Sequence, residues 1–213
     1  MGVFEGAFPE WAYLIGYNTV SALLWLSIST WTALTAAVDG LDQVYASLRV
    51  VVLFTQTLAA LEIVHAAIGL VHAPVLTTFV QVAGRLTVLW IVIEAYPAAT
   101  QQPYCIFYAS MVLCWGLADV IRYLYFATRL VGGHQYRRLI WLRYSAFYVL
   151  YPIGIASEVG VVAQAVKEAW QWGNHGHAWA YMAAATLYLP AAPTLFNHMR
   201  RQRRKVLAPS PKK

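Results

Sequence analysis

Charge is what this chain has least of. Only 11% of its 213 residues are Asp, Glu, Lys or Arg, against roughly 25% in an ordinary soluble domain. That excludes a soluble globule, whose surface needs far more. Cysteine is nearly absent too: Cys105 and Cys114 fall in one apolar stretch, on opposite faces at 3.6 residues per turn, and no CxxC occurs. A disulfide framework is therefore excluded, and both thiols read as small buried hydrophobes. There are six histidines, and His175 and His177 have no second cluster to join, so the ligand sets of membrane di-iron enzymes are missing. No metal or other cofactor is expected. No phosphate-cradling glycine loop and no nucleophile elbow is present. No internal repeat relates the two halves, which counts against an inverted-repeat transporter. A cleavable leader is not expected either, because Glu5 and Glu10 precede the first apolar run where a basic segment would be needed.

What is abundant is oil: 60% of residues are hydrophobic and 15% aromatic. A bilayer crossing takes about 20 apolar residues, and six stretches meet that length, near 12–38, 48–71, 75–95, 104–128, 141–166 and 178–199. The expectation is an all-α integral membrane protein, a six-helix transmembrane bundle forming one domain over 1–199. A basic, disordered tail is expected over 200–213. Turn signals at 38–43, 72–74, 96–103, 132–135 and 172–177 keep the loops short, so sequence neighbours should pack antiparallel. Orientation follows from Lys and Arg. Arg129, Arg137, Arg138, Arg200, Arg201, Arg203, Arg204, Lys205, Lys212 and Lys213 share one side, while the other holds little beyond Arg49 and Lys167. Both termini are thus predicted to be cytosolic. The run "RRQRRK" reads as a topology anchor rather than a nucleic-acid site; membrane lipid is the expected surrounding.

Ionisable side chains within a span cost about 2.5–3.5 kcal/mol each, so they mark function by default. This chain places Glu62 and His65 in the second span, Arg85 and Glu94 in the third, Asp119 and Arg122 in the fourth and Glu158 in the fifth. Glu62/His65 and Asp119/Arg122 are spaced i, i+3, and Gln81/Arg85 i, i+4, so each pair shares a helix face. A pair such as Asp119 with Arg122 has an ordinary structural reading, locking the bundle. Glu94, near a span end, is expected to snorkel. The whole set points to polar faces turned toward a common interior.

The fifth span is the most loaded. Tyr144, Tyr151 and Glu158 recur every seven residues along one stripe, and Tyr151 and Glu158 lie about 10 Å apart along the axis. Pro152 removes a backbone donor and should bend the helix, while Gly154 and Gly160 permit close approach by a neighbour or a ligand chain. A phenol and a carboxyl in a dry wall suit proton exchange: elimination, isomerisation or relay. Composition alone leaves two classes open, a lipid-handling enzyme with acid/base residues and a proton-coupled lipid or small-molecule transporter.

The motifs go further. "YLIGYN" (13–18), "LEIVHAAIGLVHAPVLTTFVQVAGRL" (61–86), "WGLADVIRYLYF" (115–126) and "WLRYSAFYVLYPIGIASE" (141–158) together resemble the very-long-chain (3R)-3-hydroxyacyl-CoA dehydratases, the protein tyrosine phosphatase-like family. The resemblance implies dehydration of a 3-hydroxyacyl-CoA to the trans-2-enoyl-CoA, the third step of fatty-acid elongation in the endoplasmic reticulum membrane, beside the elongase, ketoreductase and enoyl reductase of the cycle. It implies Tyr151 and Glu158 as the catalytic pair. Glu158 is favoured at the departing hydroxyl and Tyr151 at the α-proton, the reverse remaining open. Tyr144, Arg143, Arg122, Arg85, Gln81 and His65 are the candidate substrate-binding residues; Arg122 and Arg143 would attract the phosphates of CoA or serve the bundle. Ala66 follows His65 where the phosphatase signature needs Cys, and Pro74 stands where it needs Arg, so phosphatase chemistry is excluded. Asp119 stands where many members carry Glu. Lys212 and Lys213 do not match the dilysine retrieval spacing, so reticulum residence rests on the resemblance. A catalytically inactive scaffold of the same fold would keep the bundle and lose turnover; the presence of both Tyr151 and Glu158 argues against it.

Overall fold

The computed structural model describes residues 8–132 and 136–208. The 132–135 turn signal falls largely outside the described residues, as do Lys212 and Lys213. Within them every regular element is a helix, with no strand. Helix α1 spans Phe8–Val38, α2 Gln43–Leu58, α3 Leu61–Ala67 and α4 Val75–Leu86, which continues as a wider π-helical stretch over Thr87–Ile93. A short 3-10 turn, Pro97–Thr100, leads to α5, Cys105–Gly132; then come α6, Arg137–Arg143, α7, Phe147–Gln171, α8, His175–Thr186, and α9, Tyr188–Leu207.

Five helical stretches are long and apolar enough to cross a membrane: Glu10–Val38, Gln43–Ala67, Val75–Ile93, Cys105–Gly132 and Arg137–Gln171. The sixth expected span, 178–199, is divided between α8 and α9 around Leu187, and neither half meets that test by itself. The tail expected to be disordered from Arg200 is helical through Leu207. Arg and Lys are good helix formers, and α9 simply runs on through them.

The expected fifth span also differs in detail. The break lies at Tyr144–Ala146, between α6 and α7, while α7 passes through Pro152 without ending. Pro152 lacks a donor for the Tyr148 carbonyl, one bond in a 25-residue helix.

Helix α5 is the hub. It packs chiefly on α1 and α7, and α7 in turn on α8. Thus α1 leans more on α5 than on its sequence neighbour α2. Glycine explains both close contacts. A Cβ on Gly116 would sit 2.2 Å from Ser29 Oγ on α1, and one on Gly160 of α7 would sit 2.4–2.7 Å from the Phe107 ring of α5. Around these crossings lie Trp25, Ile28, Tyr108, Met111, Val112 and Val161, all but sealed from the surroundings. By contrast α9 has no buried residue. Its described polar ties to the bundle are few: Tyr188 to Glu158, the Ala192 carbonyl to the Tyr151 phenol, and Arg203 to Ser145.

Candidate active site

Tyr151 and Glu158 both lie on α7 and both engage α9. The Tyr151 phenol donates to the Ala192 carbonyl at 3.2 Å, and its ring lies 6.2 Å from that of Phe196. Glu158 Oε2 accepts from the Tyr188 hydroxyl at 2.7 Å. Positions 188, 192 and 196 recur every four residues, one stripe of α9 laid along the Tyr151–Glu158 stripe of α7. Both side chains are half-buried. The other carboxylate oxygen, Oε1, accepts from Trp115 Nε1 of α5 at 2.6 Å. Glu158 is therefore held between two helices, one oxygen each. Gly154, on the same helix, faces Cys114 of α5 with room for ordinary contact.

Behind Trp115 lies a second polar layer. The Arg85 guanidinium sits over the Trp115 ring, 4.9 Å from its centre, a cation–π contact. Arg85 also pairs with Asp119 at 2.5 Å. Asp119 takes a second cation, Arg122, at 3.1 Å, so the expected i, i+3 pair is formed. Arg122 reaches further, as a two-pronged donor to Glu62 at 2.6 and 2.9 Å, and lies over the Tyr123 ring. Tyr123 closes the layer with a short hydrogen bond to Glu62. Four charges from three helical segments, two of each sign, thus compensate one another in a medium where an unpaired one would be expensive.

The candidate substrate-binding residues divide. Arg85 and Arg122 belong to this layer, and Arg85 reaches Glu158 through Trp115. His65, 4% exposed, does not meet Glu62 as an i, i+3 partner; its Nε2 is bonded to the Tyr13 hydroxyl at 2.9 Å, with Tyr17 packed edge-on at 4.9 Å. The second span breaks at Ala59–Ala60, and α3 offers Glu62 to α5 but His65 to α1. Arg143 lies over the Tyr125 and Phe126 rings, and Tyr144 is edge-on to Tyr125 at 6.3 Å. These two line the α5–α6 corner rather than touching Glu158. Gln81 is exposed on α4 and joins no group among the described residues. Glu94, expected to snorkel, is tied to Arg49 and, at 2.8 Å, to the Tyr45 hydroxyl. Lys167 rests over the Tyr104 ring.

Two site residues escaped the reading of the sequence. Trp115 opens the "WGLADVIRYLYF" motif, but a tryptophan in an apolar run carries no signal of its own. Tyr188 lies in a stretch without an ionisable group to draw notice.

Residues 56–209 match the family model described as protein tyrosine phosphatase-like protein, PTPLA. The chain is 32% identical over 209 residues to the very-long-chain (3R)-3-hydroxyacyl-CoA dehydratase PASTICCINO 2B of Oryza sativa subsp. japonica, covering 92% of this chain and 93% of that protein. It is 34% identical to a probable very-long-chain (3R)-3-hydroxyacyl-CoA dehydratase of Schizosaccharomyces pombe, over 91% of this chain and 92% of that one. To very-long-chain (3R)-3-hydroxyacyl-CoA dehydratase 2 of Homo sapiens the identity is 31%, over 92% and 81%. No solved structure matches the chain significantly. With its four motifs, its apolar helices and these relatives together, the chain belongs to the protein tyrosine phosphatase-like (PTPLA) family.

Proposed function

We propose that this chain is a very-long-chain (3R)-3-hydroxyacyl-CoA dehydratase, a hydro-lyase that converts a 3-hydroxyacyl-CoA to the trans-2-enoyl-CoA and water, with Tyr151 and Glu158 as its catalytic residues. The observation that carries the reading is the pairing of a phenol and a carboxyl on one face of α7, opposite one stripe of α9, in a chain whose relatives bear that name.

The elimination needs two proton movements. One group removes the proton from the carbon next to the thioester carbonyl. The C–O bond to the 3-hydroxyl then breaks as the other group delivers a proton to it, and water leaves. One proton is taken and one given, so the pair needs no oxidant and no cofactor. Tyr151 and Glu158, two turns apart on α7, serve one end each. The Tyr151 phenol must first release the Ala192 carbonyl.

In the same reading the sixth crossing is formed by α8 and the first half of α9. The termini are then cytosolic, because the basic residues 129–138 and 200–205 fall on one side. The membrane is that of the endoplasmic reticulum, with the elongase, ketoreductase and enoyl reductase of the elongation cycle as neighbours. The test is turnover by the full chain in detergent across a chain-length series of 3-hydroxyacyl-CoA. Tyr151→Phe and Glu158→Gln are each expected to lower the rate by about a hundredfold or more, the usual contribution of positioned acid/base groups. Near-normal rates in both variants would overturn the assignment.

A further inference from the structure

The two donors on Glu158 are chemically different. An indole N–H can only donate, whereas a phenol donates or accepts. Trp115 Nε1, 2.6 Å from Oε1, therefore commits that oxygen to accepting whatever the charge on Glu158. Because the carbonyl oxygen of a carboxylic acid is its better acceptor, a proton on the carboxyl is favoured on Oε2, the oxygen facing the Tyr188 hydroxyl at 2.7 Å. Tyr188 suits both states: it donates to an ionised Oε2, and by turning its hydroxyl it accepts from a protonated one.

The supports of the two donors differ as well. Trp115 is 3% exposed, and its ring is pinned under Arg85 at 4.9 Å, itself anchored to Asp119. A cation over the ring face draws electron density from the indole and makes its N–H the stronger donor. Tyr188 begins α9, which has no buried residue, so its hydroxyl is far less enclosed than the Trp115 indole.

We propose that Trp115 and Tyr188 are positioning residues for Glu158: Trp115 fixes Oε1, and Tyr188 is the reversible partner that leaves Oε2 as the one proton-exchanging oxygen. The proposal rests on Glu158 being catalytic and holds whether Glu158 takes the α-proton or supplies the proton to the hydroxyl.

The test is steady-state turnover of a long-chain 3-hydroxyacyl-CoA by the full chain carrying Trp115→Phe, Tyr188→Phe or Glu158→Gln, with the unfolding midpoint of each read alongside. Each of the first two is expected to lower kcat about ten- to a hundredfold, the scale of one lost hydrogen bond to a charged group. KM should stay within about twofold and the solvent deuterium isotope effect on kcat should grow; Tyr188→Phe should keep the midpoint, while Trp115→Phe, made in the core, should lower it and still leave a cooperative unfolding transition. A residue that only supports the fold would lower the midpoint and leave the isotope effect alone. Trp115→His, which restores a ring N–H, should recover part of the loss. If Glu158→Gln turns over normally, the assignment of Glu158 as a catalytic residue fails. If Glu158→Gln is inactive while Trp115→Phe and Tyr188→Phe keep kcat within twofold, or lose it only with the fold, this inference alone fails.

Discussion

Arg122 has the most partners of any side chain in the charged layer. It answers Glu62 and Asp119 and covers a face of Tyr123, so removing it strands two carboxylates with only Arg85 between them. Arg122→Leu is expected to destabilise the bundle by about 3 kcal/mol or more, as when one partner of a buried pair is lost, seen as a lower unfolding midpoint in detergent. Glu62→Gln should cost less, because an amide oxygen still accepts. The Arg49–Glu94 pair sits at the opposite extreme. The Arg49 side chain is 48% exposed, so Arg49→Ala should cost under about 1 kcal/mol by the same measurement. At this scale the sequence was partly legible. Every ionisable residue of the charged layer was recognisable as costly in oil. Spacing within one helix named the Asp119–Arg122 pair, but it could not pair Arg122 with Glu62 or Arg85 with Asp119. Those contacts join residues 60 and 34 positions apart, and only the fold brings them together.

Between helices, glycine decides the separation. A Cβ at Gly160 would penetrate the Phe107 ring, whereas one at Gly154 would meet Cys114 Cβ at 3.5 Å, an ordinary contact. Gly160→Ala is therefore expected to destabilise by about 1–3 kcal/mol, the scale of core overpacking. Gly154→Ala should be neutral or slightly stabilising, since alanine is the better helix former. Pairing Gly160→Ala with Phe107→Leu should return part of the loss, and thermal unfolding of the three variants reads it directly. Both glycines are visible in the sequence as places for a close approach; which one is filled to contact depends on the α5 residue opposite. Helix ends were the least legible elements. The second span breaks at Ala59–Ala60, the third widens at Thr87, and the last divides at Leu187, none of them at a glycine. The last break has a local cause, since Pro190 lacks the N–H that would bond the Thr186 carbonyl; the other two fall at residues that are ordinary in a helix, and nothing in their spacing marks them.

For the molecule as a whole, hydropathy foretold the five helices that are long and apolar enough to cross a membrane, because length and apolarity are all that test asks. The last stretch escapes that test because α9 must be two things at once, a wall for α7 and a basic helix end. Its dual character gives the topology a direct check. With six crossings and cytosolic ends, single cysteines introduced near Glu10 and near Val206, in a background lacking Cys105 and Cys114, should both react with a membrane-impermeant thiol reagent from the cytosolic face of sealed microsomes. Labelling of only one end would leave an odd number of crossings.

Helix α9 also sets a distance. Tyr151 and Glu158 are about 10 Å apart along α7, yet they meet α9 at positions 192 and 188, about 6 Å apart along its axis. The two groups are thus gauged against a second, shorter ruler, and that ruler continues as one helix into Arg200, Arg201, Arg203 and Arg204. A small tilt of α9 would alter the reach of the phenol and of the carboxyl in the same stroke. The basic end of α9 thus lies about 20 Å along the same helix from the two positions that meet Tyr151 and Glu158.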